Sequence, residues 1–129
     1  MATIKQLSIF VENKDGWLAD ILEIVAGAGA DLRALSIADT KSFGVLHIIV
    51  DKPEAAEEAL TKAGCIVREN DVLSITVADK PGAFAAALRK LADAGISVEY
   101  TYAFVGHEPG QAYVILRVDD NEKAERVLG

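Results

Sequence analysis

The residue types best suited to chemistry lie in two short loops, Asn13-Lys14-Asp15-Gly16-Trp17-Leu18 and Asp79-Lys80-Pro81-Gly82-Ala83-Phe84. Each follows a strand-like run, Leu7-Ser8-Ile9-Phe10-Val11 or Leu73-Ser74-Ile75-Thr76-Val77, and leads into a run with helical period. At such a junction the first N–H groups of the helix lack intrahelical acceptors and the positive end of the dipole faces outward, so an anion such as a carboxylate can bind. Glycine lets a ligand approach the backbone, although it serves equally in a plain tight turn where φ must be positive. The loops lack the longer glycine patterns that cradle a nucleotide's phosphates, so a small carboxylate is the expected ligand.

No other group of residues forms a catalytic constellation. His47 and His107 are far apart, one in a strand-like run and one in a turn-rich segment, and neither stands at metal-ligand spacing to a cysteine or carboxylate. His47 falls on the strand face opposite Leu46, Ile48 and Val50, where a packed or surface role is expected, and His107 is expected in solvent. Asp119-Asp120-Asn121-Glu122 reads as acidic residues favouring a helix dipole in preference to a cation site. No metal or cofactor is expected.

The positions of the two loops reflect a tandem repeat. A register shift of 66 residues carries Leu7 onto Leu73, Lys14 onto Lys80, Gly16 onto Gly82, Leu22 onto Leu88 and Gly29 onto Gly95. It grows to 68 between Val50 and Val118, so Gly106-His107-Glu108-Pro109-Gly110 absorbs the extra residues in a turn. Two units follow, 1–70 and 71–129, each close to the smallest size that folds alone.

Within the first unit, alternation of Leu7, Ile9 and Val11 with Gln6, Ser8 and Phe10 predicts a strand from Lys5 to Val11. Leu18, Ile21, Leu22 and Val25 then mark one helical face. Gly29 suits a left-handed helix end, and Asp31 to Thr40 reads as extended. Lys41-Ser42-Phe43-Gly44 is expected to turn, Val45 to Val50 to form an interior strand, Pro53 to open a helix that Gly64 closes, and Cys65 to Glu69 to be the last strand. The second unit repeats this with a strand at Leu73 to Ala78, a helix over Phe84 to Leu91, strands at Val98 to Val105 and Tyr113 to Val118, and a helix from Asn121. The fold class is α+β: two ferredoxin-like βαββαβ units with antiparallel sheets and helices on one face, the second lacking its last strand. That gap leaves the second unit's first strand with an open edge, which something must cover.

With 51% hydrophobic residues and three prolines among 129 residues, the chain can bury a core. A net charge of −7 opposes nucleic acid and anionic membrane as partners. One cysteine, Cys65, allows no intrachain disulfide. The first residues lack a signal peptide's pattern and no run could span a bilayer, so a cytoplasmic location is expected.

Nearly the whole chain resembles the ACT domain family, twice over. The resemblance is carried by Leu7-Ser8-Ile9-Phe10-Val11-Glu12-Asn13-Lys14-Asp15-Gly16 with Ala28-Gly29-Ala30-Asp31-Leu32, and by Leu73-Ser74-Ile75-Thr76-Val77-Ala78-Asp79-Lys80-Pro81-Gly82 with Ala94-Gly95-Ile96-Ser97-Val98. Asp15 replaces the family's usual proline, and Asp31 and Ser97 stand where asparagine is common, so the ligand's identity does not carry over. The resemblance implies a non-catalytic regulatory module that binds a free L-amino acid and modulates an enzyme of amino-acid metabolism. It also implies crossed sites, Asn13 to Leu18 with Ser97 and Val98, and Asp79 to Phe84 with Asp31 and Leu32.

Two readings from other classes stand beside this one: an interaction subunit whose loops are only turns, and a small enzyme on a ferredoxin-like fold. Trp17 either walls a pocket or caps the core beside Leu18. Tyr100, Tyr102 and Phe104 alternate along one strand and so share a face, for sheet packing, ligand stacking or another subunit. The open edge and these aromatics predict a homodimer. Asn13 and Ser97 carry no charge whereas Asp79 and Asp31 do, so the site on the first loop is expected to bind the anion more tightly, with Asp15 either putting a carboxylate into that loop or turned inward as a helix cap.

Overall fold

The computed structural model describes residues 2–12, 14–39, 43–104 and 108–129. Its elements run β1 (Ala2–Glu12), α1 (Trp17–Gly27), β2 (Leu32–Asp39), β3 (Phe43–Val50), α2 (Pro53–Lys62), β4 (Ile66–Ala78), α3 (Ala83–Asp93), β5 (Val98–Ala103), β6 (Gln111–Val118) and α4 (Asn121–Leu128). The chain divides into two compact units, one of residues 5–70 and another of residues 71–129 joined by residues 1–4.

In the first unit β3 lies between β2 and β1, antiparallel to both, with Leu7 opposite Ile48, Glu12 opposite Phe43 and Leu32 opposite Val50. Alternation along these strands sends Leu7, Ile9, Leu46 and Ile48 to one face, where Ile21 and Val25 of α1 and Ala56 and Leu60 of α2 complete the core. Leu7, Ile9, Leu46, Ile48 and Leu60 have no exposed surface, and each such side chain contributes about 1.5–3 kcal/mol by leaving water. Gly29 takes φ +77° just beyond α1, where a Cβ would be strained, and so ends that helix.

The second unit repeats the plan. β6 lies between β4 and β5, antiparallel to both, and Leu73, Ile75, Leu116 and Val118 pack under Leu91 of α3 and Ala124 of α4. The open edge expected on its first strand is occupied. β1 neighbours β4, residues 1–4 belong to this unit, and the Thr3 hydroxyl donates to the Glu125 carboxylate. The edge therefore gives no argument for a dimer.

Two further readings are corrected. Cys65 to Glu69 and Leu73 to Ala78, expected as separate strands, fall, apart from Cys65, within one strand of 13 residues, Ile66–Ala78. The polar stretch between them suggested a break, but the extended backbone passes through it, and Asp71's carbonyl accepts from Arg117 Nη1 at 2.7 Å and Asn121 Nδ2 at 3.2 Å. Phe43 and Gly44, expected in a turn, belong to β3, because pairing with Glu12 and Val11 outweighs the weak strand preference of glycine. Lys41, Ser42, His107 and Asn13 lie outside the described residues. Among the described residues no helix is long and apolar enough to cross a membrane.

Candidate functional site

Both glycine loops end in the same way. Gly16 and Gly82 occupy the N-cap positions of α1 and α3 with φ +81° and +85°, and no side chain caps either helix. Asp15 is therefore not the helix cap that the sequence suggested. The Trp17 N–H donates to Lys14 O at 3.2 Å and the Ala83 N–H to Lys80 O at 3.3 Å, closing a turn before each helix. The intrahelical ladders begin at Asp20 and Ala86, so Leu18, Ala19, Phe84 and Ala85 carry first-turn N–H groups without an intrahelical acceptor. A Cβ on either glycine would meet open space, so glycine is required here by φ and not by crowding.

Open clefts adjoin the helix starts. In the first unit a cleft of about 540 Å³ is lined by Glu12, Lys14, Asp15, Trp17, Asp20 and Cys65, among others. In the second unit one of about 440 Å³ is lined by Ala78, Ala83, Ala86, Lys90, Leu128 and Gly129, among others. Trp17 does both things the sequence left open, packing against the core and walling the cleft. Burial pushes the Cys65 thiol above its ordinary pKa, which keeps it protonated and a weak nucleophile.

The second-strand starts lie elsewhere in each unit. Glu12, at the loop end of β1, pairs with Phe43, whereas Leu32 pairs with Val50, so loop and strand start are separated by most of β3, roughly 20 Å. One unit cannot bring its own loop to its own second-strand start. The N–H of Asp31 donates to Asp51 Oδ1 at 2.7 Å and that of Asp51 to Asp31 O at 3.2 Å. Ser97 and Asp119 repeat the pair at 3.2 and 3.3 Å. These N–H groups are thus satisfied within their own units, while Leu32 and Val98 open the strands beside them. Asp120 accepts from the Lys123 N–H at 3.0 Å and so caps α4, beyond the dipole role expected of the acidic run.

Sequence reasoning missed a polar cluster on the helix-free face of the first unit. Gln6 and Ser8 are buried, and His47 Nδ1 lies 3.1 Å from Gln6 Nε2 and 3.0 Å from Ser8 Oγ, which donates to Asn70 Oδ1 at 2.7 Å. Strand alternation placed His47 on this face, but only the register between three strands brings the four groups together. With the Gln6 amide nitrogen as donor to both Nδ1 and Ser8 Oγ, and the single Ser8 hydroxyl proton on Asn70 Oδ1, Nδ1 accepts and the ring is neutral. Burial lowers the His47 pKa, and protonating Nδ1 would set two donors against each other. A histidine pKa below its unfolded value of 6.5 gives stability that is full above that pH and is lost as pH falls through the folded value. The thermal midpoint is accordingly expected to drop between neutral and mildly acidic pH, and His47→Gln to flatten that part of the profile. An unchanged slope in the variant would remove His47 as its source.

In the second unit Tyr100 and Tyr102 stack at 6.4 Å between ring centroids, and Phe104 meets Tyr113 at 5.9 Å. All three strand aromatics are half-buried and alternate with exposed residues, as the shared face required. Burial, and then the neighbouring Tyr100, raise the Tyr102 pKa far above the ordinary tyrosine value, so its hydroxyl stays neutral.

The family described as an ACT domain pair matches residues 2–128. The structure of protein BT0572 from Bacteroides thetaiotaomicron is similar with TM-score 0.91 and 37% identity, over 98% of this chain and 86% of that one. The ligand-free regulatory subunit of aspartate kinase from Thermus thermophilus gives TM-score 0.71 at 18% identity over 99% and 93% of the two chains. The corresponding subunit from Thermus flavus gives 0.66 at 16% over 98% and 91%. At such identities these two establish a shared fold. No curated protein matches the chain.

Proposed function

Because this chain belongs to the ACT domain family as a tandem pair, we propose that it is a non-catalytic sensor of a free L-amino acid that modulates an enzyme of amino-acid metabolism. The observation that carries this reading is the duplicated loop: two uncapped helix starts, each behind a glycine at positive φ and each beside an open cleft of amino-acid size. A carboxylate placed there accepts the orphan N–H groups and neutralises the dipole. The proposed sites are crossed, Asn13 to Leu18 with Ser97 and Val98, and Asp79 to Phe84 with Asp31 and Leu32. The separation of loop and strand start within each unit supports crossing, since a site using both must take them from different units or different copies.

β2 and β5 stand at sheet edges, free to pair with another chain, which supports a homodimer. Similarity to regulatory subunits of aspartate kinase supports an enzyme partner of that general kind. A regulatory module acts by changing such a partner's equilibrium.

The deciding experiment is a thermal-shift screen of the common L-amino acids with sedimentation in the same buffers. A ligand at one hundred times its dissociation constant adds about 2.7 kcal/mol, so at least one amino acid is expected to raise the midpoint by several degrees. If none does, the interaction-subunit reading replaces this one, and turnover of any substrate replaces it with the enzyme. A monomer at micromolar concentration would remove the dimer.

A further inference from the structure

The helix-free face of the first unit carries a second recess, which shares Phe10, Val11, Glu12 and Ile66 with the loop cleft and is distinguished from it by Phe43, Gly44, Val45 and Arg68. It is an open groove of about 450 Å³ at the end of three neighbouring strands, with Phe43 and Val45 from β3, Phe10 and Glu12 from β1, and Ile66 and Arg68 from β4. These residues alternate with Gly44, Leu46, Val11 and Val67, so all six project to the same side. Phe10, Phe43 and Ile66 are 39%, 61% and 64% exposed, and they are three of the five large apolar side chains left to solvent among the described residues. Their convergence on one depression is the observation to be explained, because single exposed apolar residues are ordinary and a cluster of them is not.

Charge at the rim narrows the occupant. Glu12 pairs with Lys14 at 3.4 Å, whereas Arg68 makes no ion pair or hydrogen bond among the described residues. An unengaged guanidinium beside an apolar floor matches a molecule that joins an apolar body to a carboxylate, which it can hold with two parallel N–H donors. Size points the same way. Small-molecule sites measure about 300–1,000 Å³, whereas a stable protein interface needs about 800 Å² per partner, far more than three side chains supply.

We propose that this groove binds a small apolar carboxylate, aromatic or branched, with its hydrophobic body on Phe10, Phe43 and Ile66 and its carboxylate on Arg68. An α-amino acid and its 2-oxo acid share that chemistry. Glu12 also lines the groove, and its carboxylate offers the amino group a contact that the oxo acid lacks. The site does not use the glycine loops themselves, and its discriminating residues, Phe43 and Arg68, do not line the loop cleft.

The test is calorimetric titration of the full chain with L-phenylalanine, L-leucine and phenylpyruvate up to about 10 mM, a range that reaches millimolar affinities. Saturable binding of at least one probe is expected. Arg68→Gln and Phe43→Ser should each weaken it at least about tenfold, since a charge-assisted pair and a large apolar contact are lost. Gly16→Val should leave it within about twofold, as expected for a site outside the groove. Preference for the amino acid over the oxo acid, lost in Glu12→Gln, would place the ammonium at Glu12, and equal binding would place the carboxylate alone. No saturation by any probe overturns the proposal, as does binding unaffected by Arg68→Gln and Phe43→Ser. Binding abolished by Gly16→Val but not by Arg68→Gln assigns the ligand to the loop cleft, which upholds the sensor reading and overturns this one. A dimer that dissociates with Phe43→Ser makes the groove an interface between copies and also overturns it.

Discussion

Leu46→Ala in the first core and Leu116→Ala in the second are each expected to lower the free energy of unfolding by about 3 kcal/mol and the thermal midpoint by roughly 10 °C. Both side chains are fully buried, so truncation removes transfer energy and leaves a cavity among residues held in register by the sheet. The form of the melt is as informative as its size. β1 and β4 each give residues to both units, residues 2–4 and 71–78 to one and residues 5–12 and 66–70 to the other. A unit that unfolds must therefore pull the ends of these strands out of order. Calorimetry should show a single transition in the parent chain and in both variants, displaced to a similar extent. A two-step melt, in which Leu116→Ala moves one step and leaves the other in place, would show that the units fold independently.

The same two strands explain what was legible in the sequence. Period and repeat located all four helices and the interior strands, because Leu7, Ile9, Leu46 and Ile48 and their counterparts must all face helices. Element ends were harder to see. Asn70 and Asp71 break the apolar alternation and read as a linker, yet in a strand a polar residue needs only a partner, and Asn70 finds Ser8 while Asp71's carbonyl finds Arg117. Thr3 was too short a signal to predict a strand start. The glycine loops were legible because positive φ demands glycine, whereas the groove was not. Phe10, Phe43 and Ile66 are far apart in the chain, and only the pairing of β1 with β3 and its neighbour β4 sets them side by side.

Removing the ligand's approach to each loop in turn is expected to have the largest functional effect, and the cleft linings reverse the ranking that charge in the sequence suggested. Asn13 and Ser97 against Asp79 and Asp31 favoured the first loop. The clefts themselves say otherwise. The first is lined by the carboxylates of Glu12, Asp15 and Asp20 against Lys14, which is already paired with Glu12. The second has Lys90 and small alanines, with no Asp or Glu side chain in its lining, and Asp31, the distant partner proposed for it, pairs with Arg33 at 3.7 Å. A carboxylate brought to the first loop meets like charges, and one brought to the second meets a cation. Gly82→Val is therefore expected to abolish tight amino-acid binding, by at least about a hundredfold from loss of charge-assisted N–H contacts, while Gly16→Val largely spares it. Valine is strained at φ +81° as at +85°, at a cost of about 1–3 kcal/mol in either loop, so the pair is matched for stability and differs only in which loop carries the branched side chain. Midpoints of the ligand-free variants should fall together, and calorimetric titration with the best amino acid from the screen should separate them. Equal losses, or a greater loss with Gly16→Val, would mean that local charge in the clefts does not set which loop holds the ligand.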